Sequence, residues 1–297
     1  MKIKENILLA KYTTFKIGGG AKYFLVAKTK EDLIEGVKFA RQKHLPFFVL
    51  GGGSNLLVSD EGFEGLIIKL HSLDQPKIHI SPLLRSSGLI SLKVEAGIQL
   101  KKVVEFCVKN GLTGLEWAAG IPGTVGGAIY GNAAAFGKSM ADIVEKIEVF
   151  DASESRIKNY GVIECKFGYK ESIFKKNKNL IILSCIISLK KGNKKEIKEK
   201  IKYFLDYRER HHPLNLPSAG SVFKNPPGIS AGELIEKCGL KGKRIGDAQV
   251  SQKHANFIVN LGKARAEDIL KLINLIKEEV KKKFGIVLEE EIQYLGF

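Results

Sequence analysis

The chain has 297 residues, 44% of them hydrophobic, and it carries 48 lysines and arginines against 32 aspartates and glutamates, a net charge of +16. This length and composition predict a globular protein of two domains, or three small ones, with a substantial core. The chain starts without the long apolar stretch of a signal peptide, and no segment reaches the roughly 18 apolar residues of a membrane helix, which predicts a cytoplasmic protein without membrane insertion.

Hydrophobic periodicity predicts mixed strands and helices up to residue 190. In the first helix Leu33, Val37 and Ala40 fall on one face, and Pro46 ends it. In chain order the predicted elements are a strand over 22–27, a helix over 31–44, strands over 47–50 and 66–69, a surface connection over 74–88, a strand over 92–96, a helix over 99–111, and strands over 146–150 and 180–189.

A polar, lysine-rich segment after Lys190 marks the start of a last region. Its longest predicted helix, over 266–284, has one apolar stripe and begins with two acidic residues. The other predicted elements are a helix that contains Ile197, Ile201, Phe204 and Leu205, a loop with Pro213 and Pro217, a short helix over 231–238, a strand over 256–260 and a C-terminal strand.

Two stretches are almost bare of large side chains: residues 51–60, GGGSNLLVSD, and residues 114–137, GLEWAAGIPGTVGGAIYGNAAAFG. Small residues let the backbone approach a ligand closely, and glycine tolerates positive φ. A strand that runs directly into a glycine turn is a common phosphate site in α/β proteins. The two stretches together predict a phosphate-bearing cofactor held by backbone N–H groups. A plain Rossmann domain is disfavoured, because Gly126 and Gly127 do not follow the first strand.

A third motif, PSAGSVFKNP at 217–226, places Ser221 in a polar turn. The string is not the GxSxG of a hydrolase, and a turn serine that bonds its own backbone explains it equally well. Lys224 and Asn225 follow as donors that suit phosphate or uracil groups.

Two further segments place polar groups near predicted strands. In the run of glutamates at 289–291, strand alternation allows one carboxylate to face a cleft. In FGYKES, Tyr169 and Lys170 stand between two predicted strands, where such residues are ordinary surface groups by default.

The four cysteines are widely spaced and show no CxxC or Cys/His pattern. Disulfides and a metal site are therefore not expected, and Cys107 and Cys185, which lie in apolar patterns, are predicted to be small buried hydrophobes.

The positive charge has two explanations. It suits phosphorylated partners, nucleic acid included, or it belongs to the solvated faces of lysine-rich helices. The lysines cluster in helix-like stretches such as 194–202 and 281–283, without interleaved aromatic residues. We therefore expect no nucleic-acid partner, and a basic nucleic-acid-binding protein is kept as an alternative.

Taken in order, TTFKIGGGA, GGGSNLLVSD, AGIPGTVGGAIYGNAAAFG, FGYKES, PSAGSVFKNP, HANFIVN and LEEEI resemble one flavoenzyme family, the UDP-N-acetylenolpyruvoylglucosamine reductases or UDP-N-acetylmuramate dehydrogenases, in its shorter form. The resemblance covers nearly the whole chain. It implies an α+β protein with an FAD-binding fold of the vanillyl-alcohol-oxidase type in two subdomains, over 1–60 and 61–190, and a C-terminal α+β domain over 191–297 that binds the UDP-sugar. The oligomeric state is left open, with a monomer expected.

The resemblance also implies the reaction, a step of peptidoglycan precursor synthesis. NADPH would reduce the bound FAD, and hydride would then pass to the enolpyruvyl ether of UDP-N-acetylglucosamine. Ser221 would give a proton to the enolate carbon. Glu291, Tyr169 and Lys170 would surround the substrate carboxylate.

Further contacts come from the same resemblance. Lys224 and Asn225 would contact the UDP part. The implied cofactor contacts are Gly51, Gly52, Gly53, Ser54, Asn55, Ala119, Gly120, Ile121, Pro122, Gly123, Thr124, Gly126 and Gly127, with Ile258 near the flavin or the substrate cleft.

The chain departs from the family pattern at Lys170, where arginine is usual. Arginine binds a carboxylate through two parallel hydrogen bonds, whereas lysine is a point charge on a flexible stem. Either Lys170 does the same work less rigidly, or Arg208 or Arg210 supplies the fork. Glu290 stands where proline is usual, which we expect to change only the geometry of an edge strand. A different flavin oxidoreductase of the same superfamily is the second alternative, and the combination of Ser221 with Glu291 and the KNP string argues against it.

Overall fold

The computed structural model describes residues 2–71, 78–80 and 89–297. The surface connection predicted over 74–88 lies outside these residues, apart from 78–80, which form a strand. The chain divides into two compact units, each built from separated segments. Unit 1 comprises Met1–Lys2, Leu25–Gly52 and Ile67–Tyr207, and unit 2 comprises Ile3–Phe24, Gly53–Leu66 and Arg208–Phe297. The three-domain division implied by the resemblance stays a prediction.

The described elements mix helices and strands throughout. The helices are α1 (Lys30–Gln42), α2 (Leu100–Asn110), α3 (Val125–Tyr130), α4 (Ile173–Lys176), α5 (Lys194–His211), α6 (Ala231–Lys237) and α7 (Ala266–Phe284), with 3-10 turns at Leu9–Tyr12, Glu116–Ala118 and Met140–Asp142. The strands are β1 (Ile3–Leu8), β2 (Gly20–Ala27), β3 (Phe47–Leu50), β4 (Leu56–Val58), β5 (Phe63–Leu70), β6 (Ile78–Ile80), β7 (Leu89–Glu95), β8 (Leu112–Thr113), β9 (Ala134–Ala135), β10 (Lys138–Ser139), β11 (Val144–Asp151), β12 (Arg156–Gly161), β13 (Leu180–Lys191), β14 (Ser218–Ser221), β15 (Arg244–Ile245), β16 (Ala248–Val250), β17 (Phe257–Asn260) and β18 (Gln293–Leu295).

The strands form one large sheet in unit 1 and two small ones in unit 2. In unit 1, β12, β11, β13, β7 and β6 lie side by side in that order and pair antiparallel, and β8 also pairs with β13. In unit 2, β14, β17, β16 and β15 form an antiparallel sheet, and β18 pairs parallel with β4. A further four-stranded sheet has the order β1, β2, β5, β3.

Helix α2 shows why the core of unit 1 forms where it does. Leu100, Val103, Val104 and Cys107 recur at the spacing of one helix face, and all four are buried in the core that the large sheet covers. The helix ends because Gly111 adopts a left-handed backbone with φ of 63°, a conformation that glycine reaches without steric cost.

Helix α7 plays the same part in unit 2. It begins and ends at the predicted residues, and its apolar stripe is buried in the unit 2 core. Its first turn receives an acceptor from a distant motif, because the Asp60 carboxylate accepts hydrogen bonds from the N–H groups of Ala266 at 2.9 Å and Glu267 at 3.3 Å. Asp60 is the last residue of the GGGSNLLVSD motif, and its carboxylate caps the N-terminus of α7.

Most predicted elements are confirmed within one to three residues, but helix α5 buries less of its predicted apolar face than expected. Ile197 is buried, but Leu205 keeps 43% of its surface exposed, although it belongs to the same apolar pattern. Across residues 2–71, 78–80 and 89–297 no helix is long and apolar enough to cross a membrane.

The cysteines behave as small hydrophobes. Cys107, Cys165 and Cys185 are buried, and burial raises the pKa of each thiol to about 12. Such thiols are poor nucleophiles at neutral pH. In the part of the chain that the structure describes, no group of histidine, cysteine, aspartate or glutamate side chains could hold a metal ion.

Candidate functional site

Within unit 1, the first two residues of the first bare stretch, Gly51 and Gly52, lie directly against the second bare stretch. A Cβ atom on Gly52 would come within 2.5 Å of Gly123 Cα, and one on Gly51 within 2.6 Å of Thr124 Oγ1. At Gly52 the nearest atom is backbone, so the close approach of the two chains requires glycine there, whereas at Gly51 the Thr124 side chain would have to move. The segments predicted to share a cofactor are therefore brought together, and they form a surface of main chain.

Several N–H groups of the second loop already have acceptors inside the protein. Gly126 donates to the Ala96 carbonyl at 2.9 Å, and Gly127 donates to Thr124 Oγ1 at 3.3 Å. These two N–H groups are therefore used to fix the loop, and the cofactor contacts of Gly126 and Gly127 stay predictions. Gly120 and Gly123 have positive φ values of 78° and 120°, which lets the chain turn sharply on both sides of Pro122.

Ala119 and Ile121 are similarly committed to the local fold. Their N–H groups donate to the carbonyls of Glu116 at 3.0 Å and Ala118 at 3.1 Å. These bonds set the 3-10 turn that leads into the loop, so these two predicted contacts would also act through approach of the backbone.

Lys69 supports the first loop and was not singled out from the sequence. Its ammonium donates to the Gly51 carbonyl at the start of the glycine turn. The side chain is largely buried, and this desolvation lowers its pKa. The signal in the sequence is a single lysine at the end of the apolar run of β5, where Leu66, Ile67 and Ile68 are wholly buried.

The remaining residues of the first loop belong to unit 2. Gly53 has φ of 63°, and its carbonyl accepts the Thr14 N–H at 3.0 Å. Ser54 is half-buried. Asn55 donates its side-chain amide to the Glu291 carbonyl at 3.1 Å and accepts the Gln293 N–H on its own carbonyl at 3.0 Å. Asn55 therefore fixes the C-terminal glutamate segment, and its predicted cofactor contact stays a prediction.

Ser221 and Glu291 come from segments that are joined backbone to backbone. Ser221 ends β14 after Gly220, which has φ of 78°, and Val222 follows it. The N–H of Glu291 donates to the Val222 carbonyl at 2.7 Å. The predicted proton donor and the predicted acidic residue are therefore neighbours in unit 2, although 70 positions separate them in the sequence.

Asn256 anchors the Ser221 segment from the other side. The residue is 3% exposed, and its amide bonds both backbone groups of Phe223, accepting from N–H at 2.9 Å and donating to C=O at 2.8 Å. Its own carbonyl accepts the Val222 N–H at 2.8 Å. The sequence marks Asn256 only as part of a predicted strand. The only local signal is a polar residue at the edge of the apolar run FIVN.

Lys224 and Asn225 are held in defined positions. The Lys224 N–H donates to the Glu289 carbonyl at 2.8 Å, and its ammonium lies 3.3 Å from the Glu289 carboxylate. The Asn225 side-chain oxygen accepts the Ala231 N–H at 3.0 Å, which orients the amide. Glu290 instead pairs with Lys277 of α7 at 2.9 Å, so these adjacent glutamates, which precede β18, have different partners.

A pocket of about 500 Å³ opens beside Ser221 within unit 2. Charged residues of both signs line it, namely Glu233, Glu236, Lys237 and Lys253. It is lined by Ser221, Asn225, Ser230, Lys253, His254 and Asn256, among others. Two of these, Ser221 and Asn225, are residues for which the resemblance implies a role, and Lys253 and His254 are additions from the structure.

Tyr169 and Lys170 form the tip of a two-residue turn in unit 1. Gly168 and Glu171 exchange backbone hydrogen bonds at 3.0 and 3.2 Å, and Lys170 has φ of 57°. The Lys175 ammonium donates to the Lys170 carbonyl at 3.0 Å. This bond holds the turn, and Tyr169 at its tip is 54% exposed.

The other cations considered for the carboxylate lie in unit 2. Arg208 is only 8% exposed, and burial lowers its pKa, whereas Arg210 is exposed. Ile258 has no exposed surface and lies in the unit 2 core. The roles implied for Lys170, the two arginines and Ile258 stay predictions.

Comparisons of the sequence and of the structure with known proteins find the same family of enzymes, and the relatives match nearly the whole chain. The family model described as FAD binding domain matches residues 21–159, and the model described as UDP-N-acetylenolpyruvoylglucosamine reductase, C-terminal domain, matches residues 212–295. The reductase of that name from Caldanaerobacter subterraneus subsp. tengcongensis is 44% identical over 99% of this chain and 94% of its own length. That of Clostridium tetani is 40% identical over 99% of this chain and 92% of its own. The crystal structure of the Thermus caldophilus enzyme superposes with a TM-score of 0.82, at 37% identity, over 99% of each chain.

Proposed function

This chain belongs to the UDP-N-acetylenolpyruvoylglucosamine reductase family, and from that membership we propose that Ser221 and Glu291 carry the second half of its reaction. The protein is an FAD-dependent oxidoreductase that reduces UDP-N-acetylenolpyruvoylglucosamine, with NADPH as the co-substrate, in peptidoglycan synthesis. The predicted family, the α+β fold with an FAD-binding domain, and the cofactor are confirmed. Both alternatives, another flavin oxidoreductase and a nucleic-acid-binding protein, are set aside.

The loops of unit 1 suit the cofactor. FAD carries a pyrophosphate and a large flat ring system, and the surface formed by Gly51, Gly52 and Gly123 presents main chain without side chains. Lys69 adds a cation at the start of this surface. When bound, the flavin accepts hydride from NADPH and supplies it to the substrate. We assign Gly51, Gly52, Gly120, Gly123 and Thr124 to the pyrophosphate and ring contacts on this basis.

Ser221 is proposed as the proton donor. Hydride addition to the terminal methylene carbon leaves negative charge on the adjacent carbon and the carboxylate, so that carbon needs a proton. An alcohol is a weak acid in water, but beside a strongly basic carbon in a site that excludes water it can donate. The bonds of Val222 to Asn256 and Glu291 fix the strand end from which the hydroxyl projects.

The developing charge also requires a cation and oriented donors at the carboxylate, since such preorganised groups usually supply the largest part of catalysis. We propose Lys170 as the cation and Tyr169 as its neighbour, with Glu291 orienting the reacting end of the substrate. The exposed turn that carries Tyr169 and the hydrogen-bonded segment that carries Glu291 support these roles. Lysine in place of arginine predicts a less rigid hold on the carboxylate.

The UDP part is assigned to the pocket beside Ser221. Asn225 lines it, and Lys224, whose ammonium pairs with the exposed Glu289, brings a second donor to the same segment. We further propose that the enzyme works in the cytoplasm as a monomer and, through peptidoglycan synthesis, serves cell shape and cell division.

Stopped-flow kinetics of the two half-reactions test this proposal. Ser221→Ala should leave reduction of the flavin by NADPH within about twofold of wild type, and it should slow oxidation of the reduced enzyme by the enolpyruvyl sugar nucleotide by at least about 100-fold, the scale of one lost general acid. Ser218→Ala, in the same strand, is the matched control. Equal loss in both halves would show that Ser221 is not the proton donor.

The Lys170 assignment has its own test. Lys170→Arg should retain or improve the second half-reaction because it restores the bidentate fork, whereas Lys170→Met should raise the KM for the enolpyruvyl substrate and lower kcat. Inactivity of the arginine variant would show that lysine has a distinct task.

A further inference from the structure

Both backbone groups of Glu291 are hydrogen-bonded, each to a different segment of unit 2. The N–H donates to the carbonyl of Val222, the residue directly after Ser221, at 2.7 Å. The carbonyl accepts a hydrogen bond from the side-chain amide of Asn55 at 3.1 Å. Asn55 lies in the first bare stretch, so a residue for which the resemblance implies a cofactor contact also bonds the segment that carries Glu291.

The C-terminal segment changes its pairing partner at this point. Glu290 forms an isolated bridge with Phe223, whereas β18 begins at Gln293 and pairs with β4. Glu291 lies in the gap between these two pairings and belongs to no strand. A carbonyl outside a ladder needs a donor of another kind, and the amide of Asn55 supplies one.

Asn55 is itself anchored to the same segment. Its backbone carbonyl accepts the Gln293 N–H at 3.0 Å, so its backbone and its side chain bond residues that are two positions apart. Strand β4 follows directly, and all three of its residues are buried. A side chain that is locked in this way by packing and hydrogen bonds is a rigid support for a neighbouring functional group.

We propose that Asn55 is a positioning residue for the oxidation of the reduced flavin by the enolpyruvyl substrate, and that it acts through the Glu291 carbonyl. The inference rests on the proposed function, in which Glu291 orients the reacting end of the substrate. The N–H and the C=O of a residue flank its Cα atom, so bonds to both fix the direction in which the side chain leaves the backbone. A misplacement of about 1 Å near the reacting atoms can slow a reaction by about 100-fold.

The chemistry of the side chain explains why an amide is needed at position 55. The Glu291 carbonyl is an acceptor, and the amide presents an N–H donor to it. Aspartate has the same shape, but its ionised carboxylate offers acceptors alone, and alanine offers neither group. The two substitutions therefore separate the donor from the shape of the side chain.

Stopped-flow kinetics of the FAD-loaded enzyme measures each half-reaction separately. In Asn55→Ala we expect the limiting rate of oxidation by the enolpyruvyl sugar nucleotide to fall by about tenfold or more. The Kd for that substrate, the rate of flavin reduction by NADPH and the Kd for FAD should each stay within about threefold of wild type, because a positioning residue acts on the chemical step and not on binding. Asn55→Asp, which lacks only the donor, should lose at least as much.

Two variants in the same stretch are matched controls. Ser59→Ala removes the side-chain acceptor of the Glu61 N–H, at 3.2 Å, and alters no bond to Glu291. Both of its half-reactions should proceed at the wild-type rate. Gly52→Ala instead adds a methyl group at the cofactor surface, so it should show the opposite pattern, with flavin lost from the protein.

A double-mutant cycle tests whether Asn55 acts through Glu291. Glu291→Gln alone should slow the oxidation step by about 100-fold. If the amide works by placing the Glu291 carboxylate, Asn55→Ala should cost less than about threefold in the Glu291→Gln background, against about tenfold in wild type. Fully additive losses would show that the amide acts elsewhere, and they would overturn the inference.

The other outcomes also decide the question. A raised Kd for FAD with equal loss in both half-reactions would assign Asn55 to the cofactor, and unchanged oxidation in Asn55→Ala would leave it without a role; either result overturns the inference. Flavin absorbance and the urea midpoint show whether each variant is folded. If Asn55→Asp does not fold, Asn55→Ala carries the test, and failure of both to fold would show a general structural support instead.

Failure of the inference and failure of the proposed function are distinguishable. Slow oxidation in Glu291→Gln together with normal oxidation in Asn55→Ala overturns the inference alone. Normal oxidation in Glu291→Gln removes the role proposed for Glu291 and the inference with it. A wild-type enzyme that does not reduce the enolpyruvyl substrate overturns the proposed function itself.

Discussion

Asn256 bonds Phe223 at both ends of its amide, and the pair is shut away from solvent: Asn256 is 3% exposed and Phe223 is 1% exposed. One buried side chain thereby satisfies two backbone groups of the segment that follows Ser221. A buried polar group without a hydrogen-bond partner lowers the free energy of unfolding by more than one hydrogen bond adds to it. The geometry of this segment therefore depends on the Asn256 amide.

Asn256→Asp tests that dependence. A carboxylate can still accept from the Phe223 N–H, but it cannot donate to the Phe223 carbonyl, and it places a charge in the core. We expect a loss of about 2–3 kcal/mol in the free energy of unfolding at pH 7, measured in urea. The substitution Asn215→Asp, on an exposed loop residue, should cost less than about 0.5 kcal/mol. Equal stability of the two variants would show that the amide is dispensable.

Lys69→Met should weaken retention of the flavin. The variant keeps the length of the buried stem but removes the donor to the Gly51 carbonyl, so the glycine turn loses one fixed point. We expect the Kd for FAD, followed by the fluorescence of released flavin, to rise about tenfold, which corresponds to about 1.4 kcal/mol. Lys38→Met, on the exposed face of α1, is the control and should leave the Kd unchanged. An unchanged Kd in Lys69→Met would exclude this role.

Gly52→Ala should separate the two bare loops. The added methyl group would lie 2.5 Å from Gly123 Cα, a backbone atom that cannot move aside without shifting the loop. Purified variant protein should carry less than half of the flavin that the wild type carries, as read from the ratio of absorbance at about 450 and 280 nm. In Gly20→Ala the nearest atom is 4.0 Å away, and flavin content should be normal. Full occupancy in Gly52→Ala would contradict the close packing of the loops.

The acid dependence of stability should contain a contribution from Asp151. The Lys158 ammonium lies 2.7 Å from its carboxylate, and hydrogen bonds from Lys158 and Ser153 lower its pKa to about 2. Because the pKa in the folded chain is below that in the unfolded chain, near 3.9, the stabilisation is complete above about pH 5 and is lost as pH falls towards 2.

Asp151→Asn should therefore lower the free energy of unfolding by about 2 kcal/mol at pH 7 and by much less at pH 2.5. Urea unfolding at pH 7, 4 and 2.5 measures the difference, with Asp206→Asn as the carboxylate-to-amide control. If the difference in the free energy of unfolding between wild type and Asp151→Asn stays constant across these pH values, the ion pair with Lys158 does not stabilise the fold.

Local signals predicted local structure well. Helix α7 begins and ends at the predicted residues because its apolar stripe, its acidic first turn and Gly285 after its last residue are all encoded within it. Leu205 shows the limit of such signals, since an apolar residue in a helical pattern is buried only if another element covers it.

Sequence motifs predicted the residues of the candidate site. They did not reveal which distant residues hydrogen-bond to those motifs. The glycine stretches indicated a surface that binds a cofactor. They did not indicate that the N–H groups of Gly126 and Gly127 donate hydrogen bonds to Ala96 and Thr124. Asn256 and Lys69 bond residues 33 and 18 positions away in sequence, so no local pattern marks them.

Unit 2 is assembled from Ile3–Phe24, Gly53–Leu66 and Arg208–Phe297, and its core joins Phe15 and Leu57 to α7. During synthesis on the ribosome these two apolar side chains emerge long before the helix that covers them. The nascent chain must therefore keep part of its amino-terminal region uncovered until the final segment leaves the exit tunnel. A chain terminated before α7 would be a target for chaperones and proteases, however well its flavin-binding loops had formed.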